Sequence, residues 1–215
     1  MNERTTGIIL RTRPMTETSL IVHWLTADFG RLSTVAKGAR RPKSPFRGKL
    51  DLYYLAEFSF ARRPRSGLHL LAEVGLLETQ RQLRQDLGYL RQAAYTAALI
   101  EQTTETETPI PAIFELFNGF LAQLPQQPPQ PRSIFAFELK LLCELGLAPD
   151  PARANLSGPA KDLLQQLIGS EWADLAGLKP TKAQVVELRS FLHGFLIYHL
   201  DKLPPGRNPA LRVSD

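Results

Sequence analysis

The chain has 215 residues, 43% of them hydrophobic, enough to bury the core of one large domain or two small ones, and a formal net charge of +5. No apolar run reaches the roughly 18 residues of a membrane span, and the opening MNERTTG has no secretory apolar stretch. The single cysteine, Cys143, can form neither an intramolecular disulfide nor a cysteine-rich metal site, so a soluble, cytoplasmic protein without metal or other cofactor is expected.

Five segments in the first 78 residues read as short strands: TGIILRT, SLIVHWLTA, GRLSTVAKGA, LDLYYLAEFSFA and GLHLLAEVGLLE. Their period is two. In the second, Leu20, Val22 and Trp24 alternate with Ile21, His23 and Leu25; in the fourth, Leu52, Tyr54, Ala56, Phe58 and Phe60 alternate with Tyr53, Leu55, Glu57 and Ser59. Asp28, Phe29 and Gly30 supply a tight connection, and Pro64, Arg65, Ser66 and Gly67 a hairpin loop between the fourth and fifth strands. Five strands with turn-rich links predict a small closed barrel of OB-fold type over residues 1–79.

All the excess positive charge lies in this half. Residues 1–80 hold 13 Lys and Arg against 7 Asp and Glu, whereas residues 81–215 hold 13 against 14. Between the third and fourth strands, residues 37–49 carry six cations (Lys37, Arg40, Arg41, Lys43, Arg47, Lys49) and no acid. Two prolines and two glycines there forbid a helix, so the cations sit on a loop able to track a phosphate backbone. Phe46 and Tyr53 are candidate platforms for unpaired bases, while Tyr54 shares a strand face with Phe58 and Phe60 and reads as core. With Arg11, Arg13, Arg31, Arg62, Arg63 and Arg65, these residues form the predicted DNA-binding set. A charge run can also be no more than a solvated loop, but six cations without an acid, beside aromatics, favour a polyanion, and single strands over rigid duplex.

From residue 80 the period becomes helical. One stripe runs Leu83, Leu87, Leu90, Ala94, Ala97; a second runs Ile113, Leu116, Phe117, Phe120, Leu121, Leu124 and is stopped by PQQPPQP from Pro125. A third runs Ile134, Phe137, Leu141, Leu142, Leu145 and ends at Gly146. Ser157 before Pro159 marks a further helix start, and Thr181 with Gln184 a capping box. The reading is a helical bundle over residues 80–203 and an irregular tail over 204–215, an α+β chain in all. Cys143 reads as a small buried hydrophobe, and His23, His69, His193 and His199 lack the spacing of metal ligands on a helix face. There is no phosphate-binding glycine loop, no Gly-x-Ser-x-Gly and no carboxylate cluster of a nuclease, so the chain is not expected to be an enzyme.

The run RPMTETSLIVHWLTADFGRLSTVAKGARRPKSPFRGKL resembles the N-terminal domain of the bacterial RecO recombination mediators, through Arg13-Pro14, Glu17-Thr18-Ser19, Gly30-Arg31, Lys37-Gly38-Ala39-Arg40 and Arg47-Gly48. FAFELKLLCELGLAPD resembles that family's central helix and following turn, and FLIYHLDKLPPGR its last helix. The resemblance implies an OB-fold followed by a helical domain, annealing of complementary strands and recombinase loading in the RecF pathway of DNA repair. The implied partners are RecR and the acidic tail of the single-stranded-DNA-binding protein, the implied location the nucleoid. Single-stranded DNA is the expected ligand, with duplex DNA open as a second. Many members carry paired Cys-x-x-Cys motifs after the central helix; here that stretch reads APDPARANLSGPAK, and one cysteine cannot make such a zinc site. For the tail, Arg132 at the start of the third stripe is the candidate cation. An RNA-binding OB module is the competing reading, since charge and aromatics do not distinguish ribose from deoxyribose.

Overall fold

The computed structural model describes residues 2–63 and 66–212. They divide into two compact units, one formed by Met1–Arg81 with Thr104–Glu115, the other by Gln82–Thr103 with Leu116–Asp215. Each unit is taken by itself below. Arg65, among the expected DNA contacts, and Pro64 of the same expected hairpin loop lie outside the described residues.

The first unit is a closed five-stranded barrel in the order β1-β2-β3-β5-β4: β1 (Asn2–Pro14), β2 (Leu20–Thr26), β3 (Gly30–Ala36), β4 (Leu55–Ala61) and β5 (Leu68–Glu78). The expected OB-like barrel is therefore present. Closure depends on the length of β1. Its first half pairs antiparallel with β4, from Asn2 opposite Ala61 to Ile8 opposite Leu55, and its second half with β2, from Gly7 opposite Thr26 to Pro14 opposite Leu20. A register shift between Ile9 and Arg11 bends the strand where it changes partner, as a bulge does. β3 and β5 pair in parallel over Ser33–Leu68 to Val35–Leu70.

The interior is aromatic. Trp24 is fully buried and stacks on Phe58, ring centroids 4.0 Å apart, while its indole N–H donates to Thr34 Oγ1 at 2.8 Å, so the buried donor is satisfied. Ile9, Val22, Leu32, Phe60, Leu71 and Val74 complete the core with Phe46, which comes from the loop rather than a strand.

Two strands are shorter than their periodicity suggests. β3 stops at Ala36, because the chain turns at Lys37 and Gly38, the latter at φ +68°. β4 starts at Leu55 rather than Leu50, because Tyr53 takes φ +65° and ends any extended run. Its N–H donates to Ile9 O at 2.8 Å, and Ile9 N–H donates to Tyr54 O at 3.0 Å, so this turn satisfies the bulged part of β1.

Residues 104–115, expected in the helical domain, group with the barrel instead. Thr106 bridges to Arg31 of β3, Glu107 N–H donates to Arg31 O at 2.8 Å, and the Arg31 guanidinium donates to Thr104 Oγ1 at 2.8 Å and to Thr104 O at 2.5 Å.

The second unit contains α1 (Leu87–Thr103), most of α2 (Pro111–Gln123), α3 (Pro131–Glu144), α4 (Gly158–Gly169), α5 (Lys182–Leu200) and the one-turn α6 (Arg207–Ala210). α3 is its axis, buried continuously from Ser133 to Leu139. It opens with Pro131 in the first turn and closes at Gly146, φ +71°, with Leu147 N–H donating back to Leu142 O at 2.8 Å. The capping box at Thr181 and Gln184 is formed. The PQQPPQP tract packs against α1: a Cβ on Gly88 would lie 2.6 Å from Pro129, and Gln92 donates to Gln130 O at 2.9 Å.

In α1 the expected stripe is displaced. Leu83 and Ala97 are buried as expected, but Leu87 and Ala94 are exposed, and the buried face also carries Gln92, Ala93, Tyr95, Thr96, Leu99 and Ile100. Tyr95 and Gln92 are buried because distant segments bring them partners, Glu138 of α3 for Tyr95 and Ala210 O of the C-terminal segment for Gln92, which a periodicity of apolar residues does not register. That segment is not irregular throughout: Arg207 is buried and holds Glu138 with two hydrogen bonds, 2.7 and 2.9 Å, while Tyr95 donates to the same carboxylate at 2.6 Å. Cys143 is half-buried rather than fully buried.

Candidate nucleic-acid interface

The loop between β3 and β4 is a chain of consecutive turns. Arg41 N–H donates to Gly38 O, Ser44 to Arg41 O, Arg47 to Ser44 O and Lys49 to Phe46 O, at 3.0 to 3.2 Å. Gly38 and Gly48, at φ +68° and +72°, supply the left-handed turns. The loop is fixed to the barrel at three points. Phe46 is only 7% exposed and lies in the barrel core, Lys49 Nζ donates to Val74 O at 3.0 Å, and Arg40 N–H donates to Thr18 O at 3.0 Å.

Lys37, Arg40, Arg41, Lys43 and Arg47 are all exposed, as is Arg13 on β1. The side chains of Lys37, Arg41, Lys43 and Arg13 take no ion-pair partner among the described residues. Among the described residues Arg40 and Arg47 donate to backbone oxygens only, Thr16 O at 3.4 Å and Pro42 O at 3.2 Å, so no carboxylate there compensates their charges. Anchored inside and charged outside, the loop presents cations at little entropic cost of ordering them.

The register adds a second surface. Val22 and Trp24 point into the barrel, so Ile21 and His23 point out, and with them Arg13 and Arg11, their partners across β1. Ser33 and Val35, opposite His23 and Ile21, extend the same outer face onto β3. His23 Nδ1 and Ser33 Oγ lie 2.9 Å apart.

Several expected contacts have other duties. Phe46 and Tyr53, the latter 3% exposed, are buried and offer no face to a base; their apolar area is removed from water by the fold itself. Arg62 is paired with Glu3 at 2.8 Å and Glu107 at 3.2 Å, and the hydrogen bond to Glu3 raises its pKa despite opposing desolvation. Arg31 is taken up by Thr104, and Lys49 by Val74 O. Arg62 and Arg31 thus fasten residues 104–107 to the barrel rather than standing free. Arg63 keeps an exposed side chain while its backbone N–H donates to buried His69 at 3.1 Å. Arg132 is half-buried: it donates to Leu178 O at 3.0 Å and Gln127 Oε1 at 2.6 Å, its Nε has no hydrogen-bond partner, and burial lowers its pKa. Among the described residues no group of three or more His, Cys, Asp or Glu could hold a metal, and no helix is long and apolar enough to cross a membrane.

The recombination protein O N-terminal family model matches residues 1–80 and the recombination protein O C-terminal model residues 84–153. Proteins named DNA repair protein RecO are similar to the chain. That of Rhodopirellula baltica is 33% identical over 152 residues, covering 71% of the chain and 56% of the relative; that of Bacillus subtilis is 33% identical over 144 residues, covering 67% and 56%. That of Symbiobacterium thermophilum is 32% identical over 174 residues, 80% of the chain and 66% of the relative. The matched part thus spans little more than half the length of the first two relatives. With an OB-like barrel, a helical unit and matches to both halves, the chain belongs to the RecO family of DNA repair proteins.

Proposed function

We propose that the barrel unit binds single-stranded DNA through the loop cations Lys37, Arg40, Arg41, Lys43 and Arg47, with Arg11 and Arg13 on the neighbouring outer strand face, and that the chain thereby anneals complementary strands and helps load recombinase without bond chemistry of its own. The observation that carries this is the ordered loop whose buried Phe46 holds five exposed cations that no carboxylate among the described residues neutralises. Such a surface attracts a polyanion and gains from counterion release. RecR and the acidic tail of the single-stranded-DNA-binding protein are the proposed protein partners, and the nucleoid the proposed location. Arg132 suits the tail, being half-buried and holding Leu178 O and Gln127 Oε1 rather than a carboxylate among the described residues. The deciding experiment is annealing of complementary strands coated with their binding protein. The chain should accelerate it, and no acceleration, together with no binding of a labelled single strand at physiological salt, overturns the proposal.

A further inference from the structure

The β1–β2 connection and the start of the basic loop enclose a cleft of about 440 Å³ lined by Met15, Thr16, Thr18, Ser19, Val35, Lys37, Gly38 and Arg41. Its construction is rigid. Met15 N–H donates to Ser19 O at 3.0 Å, Thr16 Oγ1 accepts from Ser19 N–H at 3.1 Å, and Arg40 N–H ties the basic loop to Thr18 O at 3.0 Å. Gly38, at φ +68°, makes the turn in which Arg41 N–H donates to its carbonyl at 3.0 Å. Two kinds of surface meet in this cleft. Met15 is half exposed although it is a large apolar side chain, whereas Val35, on the outer face of β3, lines the cleft but is only 9% exposed. At the rim stand Lys37 and Arg41, both exposed and without an ion-pair partner among the described residues.

A ligand complementary to this cleft is flat and apolar on one side and anionic on the other, within the volume range of small-ligand sites. We propose that the cleft is a single-nucleotide subsite, in which one base of the bound strand lies on Met15 while an adjoining phosphate meets Lys37 and Arg41. This rests on the proposed binding of single strands and adds a base contact to a surface otherwise read as one for phosphates. Phe46 and Tyr53 being buried, the polarisable thioether of Met15 takes the part that an aromatic platform plays elsewhere. Thr16 and Thr18 line the same cleft.

Methionine labelling tests it, because the chain has only two methionines, Met1 and Met15. In the full chain labelled with ¹³C at the methionine methyls, a thymidine dodecamer should shift the Met15 signal through the ring current of the seated base. An abasic strand with the same number of phosphates should leave it in place. By anisotropy the dodecamer should bind about tenfold more tightly than the abasic strand, the scale of one stacked base. Met15→Ala should remove most of that preference while keeping the abasic affinity and its salt dependence. An unmoved Met15 signal at saturation, or equal affinities for the two strands, overturns the subsite and leaves phosphate binding by the loop standing. No binding of either strand overturns the underlying function as well. A shift produced by an acidic peptide and not by the dodecamer assigns the cleft to a protein and overturns the proposal.

Discussion

Phe46 shows how one residue can matter to an interface without touching the ligand. Its ring is in the barrel core and its neighbours carry the cations, so Phe46→Ala should cost about 3–5 kcal/mol of stability in urea unfolding and weaken strand binding by loosening the loop. Phe46→Leu should restore most of both. A base-stacking role predicts the opposite split, lost binding at unchanged stability, and that result would remove Phe46 from the core of the argument. Buried Glu138 has a comparable place in the helical unit. It is gripped by Arg207 and Tyr95, and Arg207→Ala, which leaves a buried carboxylate without its counter-charge, should cost about 3–5 kcal/mol. Burial, with the adjacent Glu138 charge, pushes the Tyr95 phenol far above its ordinary value of 10.0. Below pH 10 it is protonated folded and unfolded alike; above, the unfolded chain ionises first, so this residue makes stability fall as pH rises past about 10. Tyr95→Phe should flatten that alkaline slope, measured by unfolding at a series of pH values.

At the scale of elements, the basic loop and residues 104–107 make separate predictions. Replacing Arg40, Arg41 and Lys43 together by Ala removes three cations that no carboxylate compensates. Binding should weaken about equally for all sequences, and the slope of log K against log salt should become shallower by about two units, from roughly 0.7 per phosphate contact on a single strand. A slope equal to the parent's would take these three residues out of the interface. Residues 104–107 are held by Arg31, Arg62 and the approach of Gly30 to Thr108. A Cβ on Gly30 would stand 1.8 Å from Thr108 O, at a φ of +66° that disfavours any side chain. Gly30→Ala should therefore displace this segment and expose the Glu107 amide, which now donates to Arg31 O. Hydrogen exchange at that amide should speed up, and unchanged protection would contradict the account.

For the whole molecule, the proposed function puts polyanion binding on the barrel, where the excess positive charge lies, and protein docking on the helices. Because Thr104–Glu115 belongs with the barrel, cutting the chain after residue 79 would deprive the barrel of part of itself. The docking of an acidic, apolar-tipped tail peptide is therefore better tested in the intact chain. Arg132→Ala should weaken the peptide several-fold and leave single-strand affinity unchanged, and added salt should weaken the peptide only in part, since burial of its apolar tip is unscreened. Loss of strand binding in that variant would break the division.

Much of this could be read in the sequence. Period-two and helical patterns located five strands and the main helices, the capping box and Gly146 marked ends, and the count of cations between β3 and β4 pointed to a polyanion, because each is a property of residues close along the chain. Only the tertiary structure decided which way Phe46 and Tyr53 face, which cations are already spoken for, where residues 104–115 belong and that Arg207 closes on Glu138. An aromatic ring in a loop reads the same whether it meets water or a core, and an arginine reads the same whether its carboxylate is 59 positions away, as Glu3 is from Arg62, or missing altogether. Those outcomes are set by contacts between distant segments, which local pattern does not encode and which burial and charge pairing settle only once the barrel has closed.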